Sequence, residues 1–584
     1  MKNITIKRLG GLFLSVLLIS ITSSCDKDSS PNEIASTHSG DMILGEQLQN
    51  PYSTSNMHVA LGNLSLDFKS SSNFEVETTD LYVRFLPNTI EEYELLIQDS
   101  LELFDYPLDY EIIEFGEYYQ DPTIPSEEQT WLYTVVPVDY SFVNIEYEIL
   151  EELFLPESYE ENEKRNPNVQ KFLMNLEDEA LRITDNLEVD KGLKLAKKKP
   201  EGYIKVKDTD FNSLVPVKKV KVRVRRWFTI KTDYTNLSGK YKIDHGFRRD
   251  VNYSLVFENQ TGFKVWGNYL FVTPARHSFG KHSPVGKDFN SYQTSVSWKW
   301  LSVNNALYEY REYCELLSIA KPPSNMRIWV KEHNNDEVGN SGAAPMLRRT
   351  FGWFNLNTNN QVLSYFVSLN PGLELSINYV VNLMSFVEPD LFLNINTENS
   401  SSQDVFRLVC HESAHASHWV NAGNSYWVKY INYIIDNFGY GTGEGENAGV
   451  CLLGEAWANH IGYYLALDKY CDGCSYHNLD WFENFTPLQT GIEDEDRLIG
   501  YADWSGWFPI GIMYDLIDSN IDFIRYGKGG NYYDRVLGYS HEKLYNALDS
   551  DVESPAQFKD RLLEENNNLD LNDVENLFET YYAN

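Results

Sequence analysis

Ser401-Ser-Gln-Asp-Val-Phe-Arg-Leu-Val-Cys-His411-Glu412-Ser413-Ala414-His415-Ala-Ser-His418-Trp-Val420 is the stretch whose reading decides the rest of the chain. Within it, His411-Glu412-Ser413-Ala414-His415 is an H-E-x-x-H. On an α-helix two side chains four positions apart lie on one face, so both imidazoles can reach a single metal ion. The flanks support a helix. Ser401 with Asp404 three positions on is an N-cap pattern, Val405, Leu408 and Val409 mark an apolar face, and Gly423 is a stop signal. Zn²⁺ takes neutral imidazole nitrogens and, in a catalytic site, keeps one position open for water. Glu412, beside the first histidine, is placed to accept a proton from that water.

Two histidines need a third ligand. A metzincin pattern would put Gly and His at positions 418 and 421, where this chain has His418 and Asn421, so that pattern fails. Further on, Gly454-Glu455-Ala456-Trp457-Ala458-Asn459-His460 lies inside a helix-like run from Val450 to Leu467. With this second helix the chain resembles the gluzincins, in which a Glu from an N-E-x-x-x-D-like context completes the zinc site. The resemblance implies that Glu455 is the third ligand and that Zn²⁺ is the cofactor. It also implies a peptide or protein substrate. Gly454 and Asn459 depart from the usual Asn and Asp, which leaves the hydrogen bonding around the ligand unassigned. Glu444 and Glu446 are rival carboxylates in a Gly-rich stretch and read as loop residues.

The N-terminus reads as an export leader. Lys2, Lys7 and Arg8 precede an apolar core from Leu9 to Ile21, too short for a permanent membrane helix. Ser23-Ser24-Cys25 resembles a bacterial lipobox, which implies lipidation of Cys25. Asp26-Lys27-Asp28 resembles the acidic export signal of surface lipoproteins in Bacteroidetes-type bacteria. An outer-membrane lipoprotein at the cell surface is therefore expected, with residues 26–55, polar and Ser/Asn-rich, as a flexible tether. A net charge of −36 over 584 residues argues against nucleic acid as a partner. Cys471 and Cys474 form a CxxC that suits a local disulfide in an exported protein, whereas Cys314, Cys410 and Cys451 read as free and buried.

Three further units are expected, giving a multidomain α+β fold. Residues 75–190 read as an α+β accessory module with strands at Asp80-LeuTyrValArgPhe and Glu128-GlnThrTrpLeuTyrThrValVal, helices at Ile90-GluGluTyrGluLeuLeuIleGlnAsp and Ile145-GluTyrGluIleLeuGluGluLeu, and a connecting helix from Asn162 to Leu187. In residues 202–268, Val217-LysLysValLysValArgValArg alternates apolar and basic residues, which predicts a strand with one buried and one wet face. With the turn Asn236-LeuSerGly239 before Tyr241-Lys-Ile, and Val251-AsnTyrSerLeuValPhe, this unit resembles the carboxypeptidase regulatory-like (transthyretin-like) β-sandwich.

Residues 275–584 are expected to form a mainly α-helical zincin-like catalytic domain with an edge-strand sheet. Helices are expected at Trp298–Ile319, Asn378–Met384, Gly506–Leu516 and Pro555–Leu563, and a strand at Met326–Lys331. A strand at Pro389–Ile395 directly precedes the H-E-x-x-H helix. Zincin-type peptidases place a substrate-pairing edge strand there, so Asp390, Leu391, Phe392, Leu393 and Asn394 are expected to border the cleft. Tyr463, Tyr464, Tyr514, His460 and His541 are candidates for a transition-state donor. The function expected is zinc-dependent peptide-bond hydrolysis at the cell surface. The rival expectation is a non-catalytic surface-binding lipoprotein, for glycans or host protein, that retains the fold. Oligomeric state has no sequence signal.

Overall fold

The computed structural model describes residues 42–67, 74–125, 130–162, 167–187, 196–267, 273–332, 339–350, 388–437, 439–441, 443–471, 511–518, 523–527 and 530–582. The leader, Cys25, Cys474 and the segment 378–384 lie outside these residues. Helices and sheets are both abundant. The first elements are β1 (Ile43–Gln47), α1 (Thr54–Asp67), β2 (Asp80–Leu86), α2 (Ile90–Gln98), β3 (Tyr110–Glu114), β4 (Leu132–Pro137), β5 (Glu146–Leu153), α3 (Pro156–Asn162) and α4 (Pro167–Ile183). β2 is the centre of a three-stranded antiparallel sheet in the order β4-β2-β5. Thr89 caps α2 by accepting from the Glu92 amide.

Two expectations change here. The tether was expected to reach residue 55, but β1 pairs with β3 and α1 begins at Thr54. The stretch Ile145–Leu153, expected as a helix, contributes β5 instead. Its apolar residues recur at spacings that suit a helix, but pairing with β2 along the whole segment wins, and most of its side chains stay wet.

The next strands are β6 (Glu201–Asp208), β7 (Ser213–Pro216), β8 (Val220–Arg226), β9 (Thr229–Tyr234), β10 (Lys240–Lys242), β11 (Val251–Asn259), β12 (Lys264–Trp266), β13 (Arg276–His282) and β14 (Phe289–Ser291). They divide between two sheets. One runs β10-β6-β14, with β7 also on β6. In the other, β8 lies between β9 and β11, and β11 also pairs with β12 and β13. The expected break near residue 275 is crossed by pairing, since β13 and β14 complete sheets begun by β11 and β6. β12 then carries the second sheet onward by pairing in parallel with β15 (Arg327–Glu332).

The basic face of β8 was expected to be solvated. Instead Arg223 and Arg225 are buried, each about 5% or less exposed. The loop between α2 and β3 covers them: the Arg223 guanidinium lies 4.0 Å over the Phe104 ring, and Arg225 lies 5.5 Å from Tyr106. Their Nη1 atoms donate to the Leu103 and Leu108 carbonyls. Arg276 of β13 lies 4.7 Å over Tyr106 and pairs with the buried carboxylate of Asp105. Planar guanidinium groups stack on aromatic faces and still donate at their edges, which lets a cationic strand face pack dry.

The remainder is built around long helices. α5 (Ser297–Leu317) is followed by β15, β16 (Ser341–Ala343), α6 (Leu347–Thr350), β17 (Leu391–Ile395), α7 (Ser402–Asp436) and α8 (Ala448–Tyr470). Then come α9 (Ile512–Asp515), a hairpin of β18 (Phe523–Gly527) and β19 (Gly530–Tyr533), α10 (His541–Ala547), α11 (Pro555–Glu565) and α12 (Leu571–Tyr582). β17 pairs in parallel with β15 and antiparallel with β16, so among the described residues β16 is one edge of the large sheet. Its apolar residues join those of α5, α7, α8 and the C-terminal helices in one continuous core from Ile204 to Tyr581. No helix among the described residues is long and apolar enough to cross a membrane.

The ion pair between Asp105 and Arg276 links the 103–108 loop to the second sheet. Asp105→Ala leaves the guanidinium buried, and its Nε and Nη2 already lack partners. The substitution should cost about 3–5 kcal/mol, read as a lowered midpoint of urea unfolding.

Candidate metal centre

α7 starts where the sequence places it. The Ser401 hydroxyl accepts from the Asp404 amide and the Asp404 carboxylate accepts from the Ser401 amide, a complete capping box. Val405, Leu408 and Val409 are buried as the periodicity requires. One turn later His411, Glu412 and His415 are buried at 6%, 3% and 1% exposure, and Glu455 on α8 at 1%. These four groups therefore meet in the seam between α7 and α8, away from bulk water.

The two imidazoles face each other, with Nε2 atoms 3.2 Å apart. The Glu455 carboxylate closes a triangle with them: Oε2 lies 3.5 Å from His411 Nε2 and Oε1 lies 3.4 Å from His415 Nε2. Glu412 stands further off, its Oε1 3.9 Å from His411 Nε2. His411, Glu412 and His415 bring ligand atoms within 4.8 Å of one another and could hold a metal ion. Of the two carboxylates, Glu455 makes the tighter triangle with both imidazoles, which leaves Glu412 at the side. Glu444 and Glu446 are exposed on the loop between the helices.

Burial and charge act on each group in different proportions. Burial pushes the Glu412 carboxyl up to about 8, with the Glu455 charge adding to it and His411 opposing. Burial also acts to raise Glu455, but His415 and His411, by charge and hydrogen bonding, outweigh it and hold this carboxyl well below its usual range. For His411 the burial penalty is overcome by Glu455 and Glu412, and its pKa rises. For His415 burial prevails and its pKa falls. The site thus holds one carboxylate firmly ionised and disfavours ionisation of the second.

α7 does not stop at Gly423. That glycine takes φ 78° and ψ 179°, and the helix resumes beyond it to Asp436. Residues with side chains adopt such a φ at a cost, so a glycine here permits the kink. The resumed half brings Trp427 and Tyr430 against His415, with ring centroids at 5.9 and 5.4 Å. The Tyr430 hydroxyl donates to Glu455 Oε1. Neither residue was singled out from sequence, although Tyr426, Trp427, Tyr430 and Ile434 continue an apolar helical face after the glycine. Asn459, at the position of the expected Asp, instead donates to the Glu455 carbonyl of its own helix, 2.9 Å away.

The expected cleft residues fall elsewhere. Asp390, Leu391, Phe392, Leu393 and Asn394 are buried, and β17 has neighbours on both sides. An interior strand has no free edge for a substrate to join. Asp390 serves as an anchor, accepting from the Arg327 amide at 2.9 Å and from Arg349 Nε at 3.0 Å. The edge is β16, which runs over Glu412: a Cβ on Gly342 would stand 2.4 Å from Glu412 Oε1.

Among the transition-state candidates, His460 pairs with His541, their Nε2 atoms 3.1 Å apart, and the Tyr464 ring lies 4.5 Å from His541. Tyr463 lies under the Arg407 guanidinium and packs with Tyr514. Cys471 is disulfide-bonded, whereas Cys314, Cys410 and Cys451 are free and buried.

No family model matches the chain, and no curated protein matches it. Among solved structures, a 9R-lipoxygenase from Cyanothece is similar over 25% of this chain and 29% of its own, at 11% identity and a TM-score of 0.11. That likeness is too slight to bear on fold or chemistry.

The His460–His541 pair gives this region a pH dependence. Burial pushes His541 down to about 4, and burial with the His541 charge holds His460 well below its usual range. Both are neutral when folded, whereas an unfolded histidine takes up a proton near about pH 6.5. The unfolded state therefore binds more protons between those values, and folding stability should fall as pH drops from about 6.5 towards 4. Urea midpoints at pH 7 and 5 measure the slope. His541→Asn keeps a hydrogen-bonding partner but does not titrate, and should flatten it.

Proposed function

We propose that this chain is a zinc-dependent hydrolase of peptide bonds, with His411, His415 and Glu455 as metal ligands and Glu412 as the proton carrier. The observation that carries the reading is the size of the ligand triangle. Bonds of about 2.0–2.1 Å in a tetrahedral site place neighbouring donor atoms about 3.3 Å apart. The imidazole nitrogens here are 3.2 Å apart, and the two Glu455 oxygens each lie one such step from a nitrogen, Oε1 3.4 Å from His415 and Oε2 3.5 Å from His411. Two imidazole nitrogens and one carboxylate are also a donor set that suits Zn²⁺ and leaves a fourth position open.

When bound, the ion supplies an acidified water and polarises the carbonyl to be cleaved. The rest of the chemistry belongs to the chain. Glu412 is buried, close to the triangle but less tightly held in it, so its carboxylate can take the proton from the attacking water and return it to the leaving amine. The four side chains are buried between α7 and α8, and burial strengthens each electrostatic contact among them.

An extended peptide is the substrate favoured by β16. This edge strand has one side paired with β17, and its backbone passes directly over Glu412. Main-chain pairing to such an edge aligns a peptide without reading its side chains. Attachment to the outer membrane through a lipid on Cys25 belongs to the same proposal and rests on the sequence alone.

Glu412→Gln should retain one equivalent of zinc and lose hydrolysis of a mixed peptide library by about 10²–10⁴-fold, whereas His415→Ala should lose the metal. Wild-type-like cleavage by Glu412→Gln would falsify the assigned role. Gly342→Ala, whose new methyl collides with the Glu412 carboxylate, should lower kcat with zinc content unchanged, as followed by metal analysis beside the cleavage assay.

A further inference from the structure

We propose that Tyr430 is the positioning residue of this centre, its hydroxyl fixing the Glu455 carboxylate in the orientation that ligation requires. The inference rests on the reading of His411, His415 and Glu455 as metal ligands and extends it to the hydrogen bonding that holds the third.

The two oxygens of Glu455 are in different situations. Oε1 accepts from the Tyr430 hydroxyl and faces His415, while Oε2 faces His411 Nε2 at 3.5 Å. A carboxylate on a flexible Glu side chain rotates freely about its last bond. One hydrogen bond from a rigid phenol removes that freedom and leaves Oε2 turned towards His411. Groups that hold ligands in this way orient them and tune their basicity.

The hydroxyl is itself held from several directions. The Gly423 kink turns the second half of α7 so that Tyr430 and Trp427 both reach the metal-facing side. Their rings lie 4.8 Å apart, and Trp427 Nε1 donates to the Ala344 carbonyl just after β16, 2.8 Å away. Across the seam, the Tyr430 ring lies against Gly454, where a Cβ would stand 3.3 Å from Cε2 and 3.4 Å from Cδ2. A glycine immediately before the ligand therefore gives the phenol its seat. Gly454 and Tyr430 form one arrangement: the position before the ligand carries no side chain, and the ring of Tyr430 occupies that space.

The test compares the full-length wild type with Tyr430→Phe, which keeps the ring and removes only the hydroxyl. Zinc affinity is measured by chelator competition. The d–d spectrum of the cobalt(II)-loaded protein reports ligand geometry, and thermal melting of the metal-free protein reports folding. The expected result is a 10- to 100-fold loss of zinc affinity and an altered cobalt spectrum, with metal-free melting unchanged. Equal affinity with an identical spectrum overturns the proposal and leaves Tyr430 as packing.

Gly454→Ala provides a second route, since its methyl displaces the ring while keeping the hydroxyl. Loss of affinity there as well supports the proposal, whereas loss there without loss in Tyr430→Phe overturns it. If the wild type binds no zinc at all, the metal-centre reading falls, and this inference with it. Zinc bound by the wild type and by Tyr430→Phe with equal affinity and an identical cobalt spectrum removes the inference alone.

Discussion

Four ionisable groups in a dry seam between two helices is the constraint from which the rest of this structure follows. Removing an ionised group from water costs several kcal/mol unless it is well paired. Helix packing alone supplies no reason to place His411, Glu412, His415 and Glu455 there. The four groups also do not satisfy one another. Glu455 draws on both imidazoles and stays ionised, and Glu412 is left to be pushed up to about 8. A single divalent cation inside the triangle would give both imidazoles and Glu455 a common partner. On the proposed reading, Glu412 stands beside the triangle and not within it, which leaves its carboxylate available to carry a proton.

Holding such a cluster requires rigid surroundings, and several parts of the chain supply them. α5 packs beside α7 and reaches it through Tyr310, whose hydroxyl bonds Ser417 Oγ at 3.0 Å. α10 closes another side, Tyr545 donating to the Ser417 carbonyl at 2.7 Å while Asn421 donates to the Tyr545 and Leu548 carbonyls. Behind these, the sheets beginning at β6 share the same core. Anchors of this kind suit a site whose ligand spacing must be kept within about 0.5 Å.

How much of this was legible depended on the range of the interactions. The capping box, the H-E-x-x-H face and the helix bearing Glu455 are local patterns, and each is found where the sequence puts it. β5 was misread because its fate is decided by β2, a partner more than fifty positions away, and not by its own periodicity. Arg223 and Arg225 looked like a wet face because alternation reports which residues share a side, not what covers that side. Gly423 was read as an end because a glycine signals only that the helix is interrupted. Whether it resumes depends on Tyr426, Trp427 and Tyr430 finding the buried seam. Tyr430 had no signal of its own, since a phenol facing a carboxylate across two helices leaves no spacing to read.

The edge strand shows the same limit with a consequence for chemistry. Leu391-Phe-Leu-Asn-Ile is nearly unbroken in apolar character, the mark of a parallel strand covered on both faces. It lies next to β15 accordingly. The true edge, Ser341-Gly-Ala, is only three residues long and carries no hydrophobic period at all. Its importance lies in what it lacks. Because Gly342 has no side chain, the backbone can approach the Glu412 carboxylate closely, and any Cβ would take that space. On the proposed reading, one glycine therefore sets both where the proton carrier sits and where a substrate backbone can lie beside it. Neither relation is visible until the strand and the helix are brought together.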